Sequence, residues 1–290
     1  MDTSKLYFIA EIGQNHQGDI NIAKKMVDQL VGTGVSAIKT AKRDIDTCLS
    51  EEQKSMLYNN PNSFGKTYYE HRKSLELSPE HFMELKKYSE DRGFDFISSF
   101  TDENSLNFLV DECNVKYLKI ASQRMVDKDL LIKASKKNVP TIISTGMSTM
   151  EEVDDAINIF KGVDKYLMQC TSSYPCVDTD INLNVINTYK EKYGKVIKGF
   201  GLSGHHMSIA PDIAAYVMGA KIIERHFTLD RTMKGTDHIG SLELDGVKKI
   251  IKYINQVENA MGTSEKYVLD SEMPALKKLR GDLKWYTVLI

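Results

Sequence analysis

The stretch Lys221–His238, KIIERHFTLDRTMKGTDH, decides the fold. Lys221-Ile222-Ile223 is a short β-branched apolar run of the kind that fills a buried strand, and the chain turns polar at Glu224, Arg225 and His226 before a glycine-containing loop. Upstream, Gly199–His206, GFGLSGHH, repeats the pattern and carries Ser203, His205 and His206 past another small apolar run. Imidazoles delivered by neighbouring strand ends can meet on one divalent ion, with carboxylate or substrate oxygen completing the shell. His205 and His226 are the metal-ligand candidates; His206 is an alternative to His205 that spacing does not separate.

Working outward, the same unit recurs. Leu6 to Gly13 (LYFIAEIG) reads as a first strand closing at Glu11, and an amphipathic helix follows from Ile20 with Ile22, Met26, Val27 and Leu30 on one face. Val35 to Ile38 is a second strand, stopping at Lys39. Residues 40–78 are polar and too long for a plain connection, so they are expected to cover something. A helix starts near Pro79, and strands are expected at 94–99, 117–122, 141–145, 165–170, 198–203 and 221–226, before a last helix from Asp245 to Met261. Eight strand–helix units predict an α/β protein with the (β/α)8 TIM barrel fold, as one domain over residues 1–290; a doubly wound open sheet has the same alternation and is the alternative.

Polar residues strengthen the barrel. Glu11, Lys39, Ser98, Ser99, Lys119, Ser122, Ser144, Thr171, Ser203, His205 and His226 all fall at or just after the carboxyl end of an expected strand, and a barrel brings those ends to one mouth. Lysines and serines there make an anion site, suited to a small phosphorylated or carboxylated substrate; the plainer reading is that Lys39 and Lys119 pair with carboxylates such as Glu11. Glu11 is the general-base candidate. Asp237 and His238, after Gly235, lie on the loop beyond the eighth strand and are candidates to contact substrate hydroxyls, or simply to cap that loop.

Composition excludes other classes. With 41% hydrophobic and 27% charged residues and a net charge of −2, the chain has the make-up of a globular protein without the basic patch of a nucleic-acid binder. It shows no membrane-length apolar run and no signal peptide, so a cytoplasmic location is expected. Cys48, Cys113, Cys170 and Cys176 form no C-x-x-C pair and read as reduced thiols, mostly packing.

Six segments in order, FIAEIGQNHQGD, SFGKTYYEHRKSLELS, ISTGM, QCTSSYP, GLSGH and ERHFTLDRTMKGTDH, resemble the catalytic barrel of the sialic acid synthase (N-acetylneuraminate synthase) family, from about Leu6 to Arg280. The resemblance implies condensation of phosphoenolpyruvate with an open-chain hexose or hexosamine, such as N-acetylmannosamine, its 6-phosphate or mannose, to give a nine-carbon 2-keto acid and phosphate. It implies a divalent metal held by His205 and His226, manganese first, with magnesium or cobalt as alternatives. It implies anion-binding positions at Lys39, Ser99, Lys119, Ser122, Ser144, Ser172 and Ser203, a catalytic glutamate at Glu11, and sugar contacts from Tyr174 and Asp237. It also implies a homodimer.

Departures from the family pattern fall on the sugar side. Thr40-Ala41-Lys42 replaces an aromatic or histidine followed by a sugar-contacting glutamine, Ser98-Ser99-Phe100-Thr101 stands where Ser-Thr-Pro-Phe is common, and Ser172 replaces an asparagine. Relatives usually continue into an antifreeze-like domain that places an arginine on the partner's sugar; this sequence ends at Ile290, and Lys42, Arg43 and the loop through Tyr69 are candidate substitutes. Two other functions stay open: a phosphoenolpyruvate aldol synthase acting on a shorter sugar phosphate, or a catalytically silent sugar-binding barrel that partners a full-length synthase.

Overall fold

A computed structural model describes residues 1–280. The last ten residues of the expected domain, with the end of EMPALKKLRGDLKW, lie outside the described residues. The chain separates into two units, Met1–Asn255 and Gln256 onward. The first holds every strand among the described residues; the second, as far as it is described, ends in the helix Met273–Arg280.

Eight parallel strands close into a barrel in sequence order: β1 (Tyr7–Glu11), β2 (Ala37–Lys42), β3 (Asp95–Phe100), β4 (Tyr117–Ile120), β5 (Thr141–Ser144), β6 (Lys165–Cys170), β7 (Gly199–Gly204) and β8 (Ala220–His226). This is the (β/α)8 barrel, and the open sheet is excluded by the pairing of β1 with β8. β2 runs on to Lys42 rather than stopping at Lys39, because Thr40, Ala41 and Lys42 pair with Ser98, Ser99 and Phe100 of β3. The long polar stretch is also not plain loop: it contains the short helices Ile45–Cys48, Glu51–Ser55 and Tyr68–Ser74. The last two start at Ser50 and Thr67, each in a capping box that satisfies two backbone N–H groups.

Alternation along the strands builds the interior in layers. Phe8, Ala10 and Ile12 pack outward with the helices, as do Ile38, Phe96, Leu118, Ile143, Leu167 and Ile223. Tyr7, Ile9, Ala37, Ile97, Tyr117, Ile142, Tyr166, Met168 and Ile222 form a separate apolar cluster inside the barrel. Each fully buried aliphatic side chain contributes about 2 kcal/mol of transfer free energy. One step further along each strand, the inward positions become Glu11, Lys39, Ser99, Lys119, Ser144, Cys170, Ser203 and Glu224. The barrel therefore rests on an apolar floor and carries an ionic layer above it.

Candidate active site

Twelve of the residues singled out in the sequence (Glu11, Lys39, Ser99, Lys119, Ser122, Ser144, Ser172, Tyr174, Ser203, His205, His226 and Asp237) line one cavity of about 330 Å³ at the carboxyl ends of the strands. At its floor, the ammonium of Lys39 contacts Glu11 and stands 3.3 Å from Glu224 Oε1, which also lies 3.5 Å from Lys119 Nζ. Lys119 donates to Ser144 Oγ at 2.6 Å. Burial lowers the Lys39 pKa to about 8, opposed by the Glu224 carboxylate. Burial would raise Glu224, but Lys119 and Lys39 together outweigh it and hold the carboxyl at about 2. Two ammonium groups bridged by Glu224, with Glu11 a second partner of Lys39, present charged N–H donors to an incoming anion.

Backbone geometry shapes the same cradle. The N–H of Gly146 donates to Ser122 Oγ at 3.0 Å, and a Cβ at position 146 would stand 2.2 Å from Ser172 Oγ and 2.7 Å from Ser122 Oγ. Only glycine lets the β5 loop approach the two hydroxyls this closely.

Above the cradle, the His205 and His226 rings have centroids 5.4 Å apart, and the Tyr174 ring lies 4.1 Å from His205 and 6.1 Å from His226. His205 Nδ1 is 2.9 Å from the Thr171 carbonyl, an acceptor, so Nδ1 carries the hydrogen and Nε2 keeps its lone pair. Burial lowers His226 to about 4, with Asp237, 3.7 Å from its Nδ1, opposing. Both rings are thus suited to donate lone pairs to a divalent cation. Among the described residues no set of three or more His, Cys, Asp or Glu side chains converges as a complete metal shell. Substrate or water oxygens would have to complete one.

Several expectations change. His206 is not an alternative ligand: it faces outward, buried, with Nε2 3.0 Å from Asp212 Oδ2. Ser98 also points away and donates to the Ser99 carbonyl, Thr171 donates to the Asp180 carbonyl, and His238 Nδ1 is 2.7 Å from Thr228 Oγ1. Lys42 is taken up by the Leu77 carbonyl and Glu76, and Tyr69 by Asp46, whereas Arg43 and Tyr68 line the cavity. Cys170 is not mere packing: it lines the cavity, 4.0 Å from His205 Nδ1.

Glu224, Arg72, Gln14 and Gln123 line the cavity without having been picked from sequence. Glu224 could have been found from its position two residues before His226, which puts both on one face of the strand. Arg72 reaches the site from the covering segment, donating to Gln14 Oε1 at 2.6 Å while Gln14 donates to Asp237 at 3.3 Å. That chain of contacts has no local sequence signal.

Fold and site together define a TIM-barrel enzyme with one polar cavity at the carboxyl ends of its strands. Residues 26–266 match the NeuB family. The chain is 38% identical over 275 residues to N-acetylneuraminate-9-phosphate synthase of Homo sapiens, covering 94% of this chain and 76% of that protein. It is 34% identical over 285 residues to N,N'-diacetyllegionaminic acid synthase of Legionella pneumophila, covering 96% and 79%. The solved N-acetylneuraminic acid synthetase of Leptospira borgpetersenii superposes with a TM-score of 0.82 at 29% identity, covering 98% of this chain and 94% of that one. The chain belongs to the NeuB family, the sialic acid synthases, and is a carbon–carbon bond-forming transferase of that type. Such enzymes join phosphoenolpyruvate to a sugar to make a nonulosonic acid.

Proposed function

We propose that this chain condenses phosphoenolpyruvate with the open-chain aldehyde of a 6-phosphorylated hexosamine or hexose, giving a nine-carbon 2-keto acid 9-phosphate and inorganic phosphate. The observation that carries the reading is the division of one cavity into a lysine–serine floor and an imidazole–tyrosine wall. Lys39 and Lys119, with Ser99, Ser122, Ser144 and Ser172, hold the phosphate and carboxylate of the donor. Donor C3 bonds to the aldehyde carbon, water adds at C2, the C2–oxygen bond breaks, and phosphate leaves. Glu11, held by Lys39 and by the Gly13 N–H, takes the proton from the attacking water.

His205 and His226 would hold a divalent cation, manganese first, which when bound supplies Lewis acidity toward the aldehyde oxygen. Tyr174 and Asp237 position the sugar hydroxyls. Arg72, and Arg43 with the guanidinium N–H groups that its Glu76 pair leaves over, line the covering side of the cavity and suit the acceptor phosphate. The 38% identity to proteins named as 9-phosphate synthases supports that choice.

The test is phosphate release and product mass across N-acetylmannosamine, mannose and their 6-phosphates. The reading expects the phosphorylated acceptors to be turned over with at least tenfold higher kcat/KM. Equal turnover of the unphosphorylated sugars would remove the role given to Arg43 and Arg72, and activity only on pentose or tetrose phosphates would remove the nine-carbon product.

A further inference from the structure

We propose that the buried trio His206, Asp212 and Arg225 is a positioning device that fixes the separation of His205 and His226 so that the pair accepts one divalent cation. The inference rests on the metal-binding reading of that pair.

His205 and His226 face the cavity, so their neighbours His206 and Arg225 face the helices. Most outward positions elsewhere on the barrel hold apolar side chains such as Phe8, Leu118 and Ile223, and Thr40, Ser98 and Gln169, which are polar, carry no charge. Here stand an imidazole, an arginine and a carboxylate, each no more than 1% exposed. Replacing a buried ion pair by apolar side chains of similar volume is often neutral or stabilising, so general stability does not account for charge at this place.

The contacts are directional instead. Asp212, in the first turn of the helix Ala210–Val217, receives Arg225 Nη1 and lies 3.0 Å from His206 Nε2. Nε2 of His206 stands 3.0 Å from both Asp212 Oδ2 and Arg225 Nη1, so the imidazole edge closes the trio on either side. Arg225 Nη2 donates to the His206 carbonyl, and Nη1 also reaches the Ser208 carbonyl at 3.2 Å. One guanidinium on β8 is thereby forked onto the backbone that follows β7 and onto the helix after it.

The strands make room for this arrangement. Gly204 lies opposite Arg225, and a Cβ there would come within 2.6 Å of His206 Cε1 and 3.1 Å of Arg225 Cδ. The irregularity at Phe200/Gly201 sets that register, which leaves His205 beside His226 one residue on. Asp212 and Arg225 touch neither cavity nor substrate; they act through the two imidazoles.

The experiment compares the whole protein with Asp212→Asn and Arg225→Lys, titrating Mn2+ by calorimetry without substrates and measuring kcat and the phosphoenolpyruvate KM across Mn2+ concentrations. The expected result is a loss of about tenfold in Mn2+ affinity in both variants, the lower end of what removing a ligand's direct hydrogen-bond partner costs because these residues reach the ligands through the backbone, with an unchanged phosphoenolpyruvate KM and kcat largely restored by excess Mn2+. Wild-type Mn2+ affinity in variants that merely melt earlier would overturn the inference. If Asp212→Asn does not fold, Arg225→Lys, which keeps the charge and loses the fork, decides by the same criterion. A wild-type protein that takes up no Mn2+ would instead fail the metal reading itself, and this inference with it.

Discussion

Glu224 Oε1 lies 3.3 Å from the Lys39 ammonium and 3.5 Å from that of Lys119, so one buried carboxylate bridges both lysines at the cavity floor, with Glu11 a second partner of Lys39. Glu224→Gln leaves those charges short of a partner, and removing one member of such a buried set costs about 3–5 kcal/mol. Thermal unfolding should show the loss, and inorganic phosphate should restore part of it, because an anion in the cradle replaces the missing charge. Loss of stability that phosphate does not relieve would place the anion elsewhere.

Acid should weaken the fold through the same residue. The Glu224 carboxyl is held at about 2 against an ordinary value near 4.5. Its ionised form is favoured in the folded state, so its contribution is complete above about pH 4.5 and is lost as pH falls toward 2. Urea midpoints measured between pH 5 and 3 should fall more steeply for the wild type than for Glu224→Gln.

The alkaline side belongs to Lys39, lowered to about 8 by burial. An ammonium that loses its proton there gives up its attraction for phosphoenolpyruvate, so kcat/KM for the donor should decline above about pH 8. The linked stability term has the opposite sign. Between about pH 8 and 10.5 the unfolded chain binds the extra proton, and stability from this group rises with pH. In Lys39→Arg the alkaline limb should disappear, whatever the cost in kcat.

Tyr174 is 55% exposed and presents its ring to both imidazoles, 4.1 Å and 6.1 Å away. Tyr174→Ala should raise the acceptor KM about tenfold, equivalent to about 1.4 kcal/mol, with the phosphoenolpyruvate KM unchanged. Steady-state kinetics with each substrate varied in turn separates this from a donor-side role.

The barrel was legible in the sequence because each strand couples an apolar run to a polar end, as in Ile222-Ile223 followed by Glu224 and His226. The choice between His205 and His206 was not made there. Alternation with the inward Ser203 favours His205, and the pairing of Gly204 with Arg225 settles which imidazole faces in. Lys42 looked as available as Arg43; both meet Glu76, Arg43 at 2.8 Å and Lys42 at 3.8 Å, and the difference is the Leu77 carbonyl, which takes the Lys42 ammonium while Arg43 lines the cavity. Arg72 and Gln14 lie 58 residues apart and meet only in three dimensions, so no local pattern marks them.

The central claim is that His205 and His226 grasp one cation above the anion cradle. Pulsed electron paramagnetic resonance on the Mn2+-loaded protein tests it directly, because imidazole nitrogen bound to manganese modulates the signal. The account predicts coupling to two such nitrogens in the wild type and to one in each of His205→Ala and His226→Ala. A spectrum of Mn2+ with oxygen ligands alone, unchanged by either substitution, would contradict it.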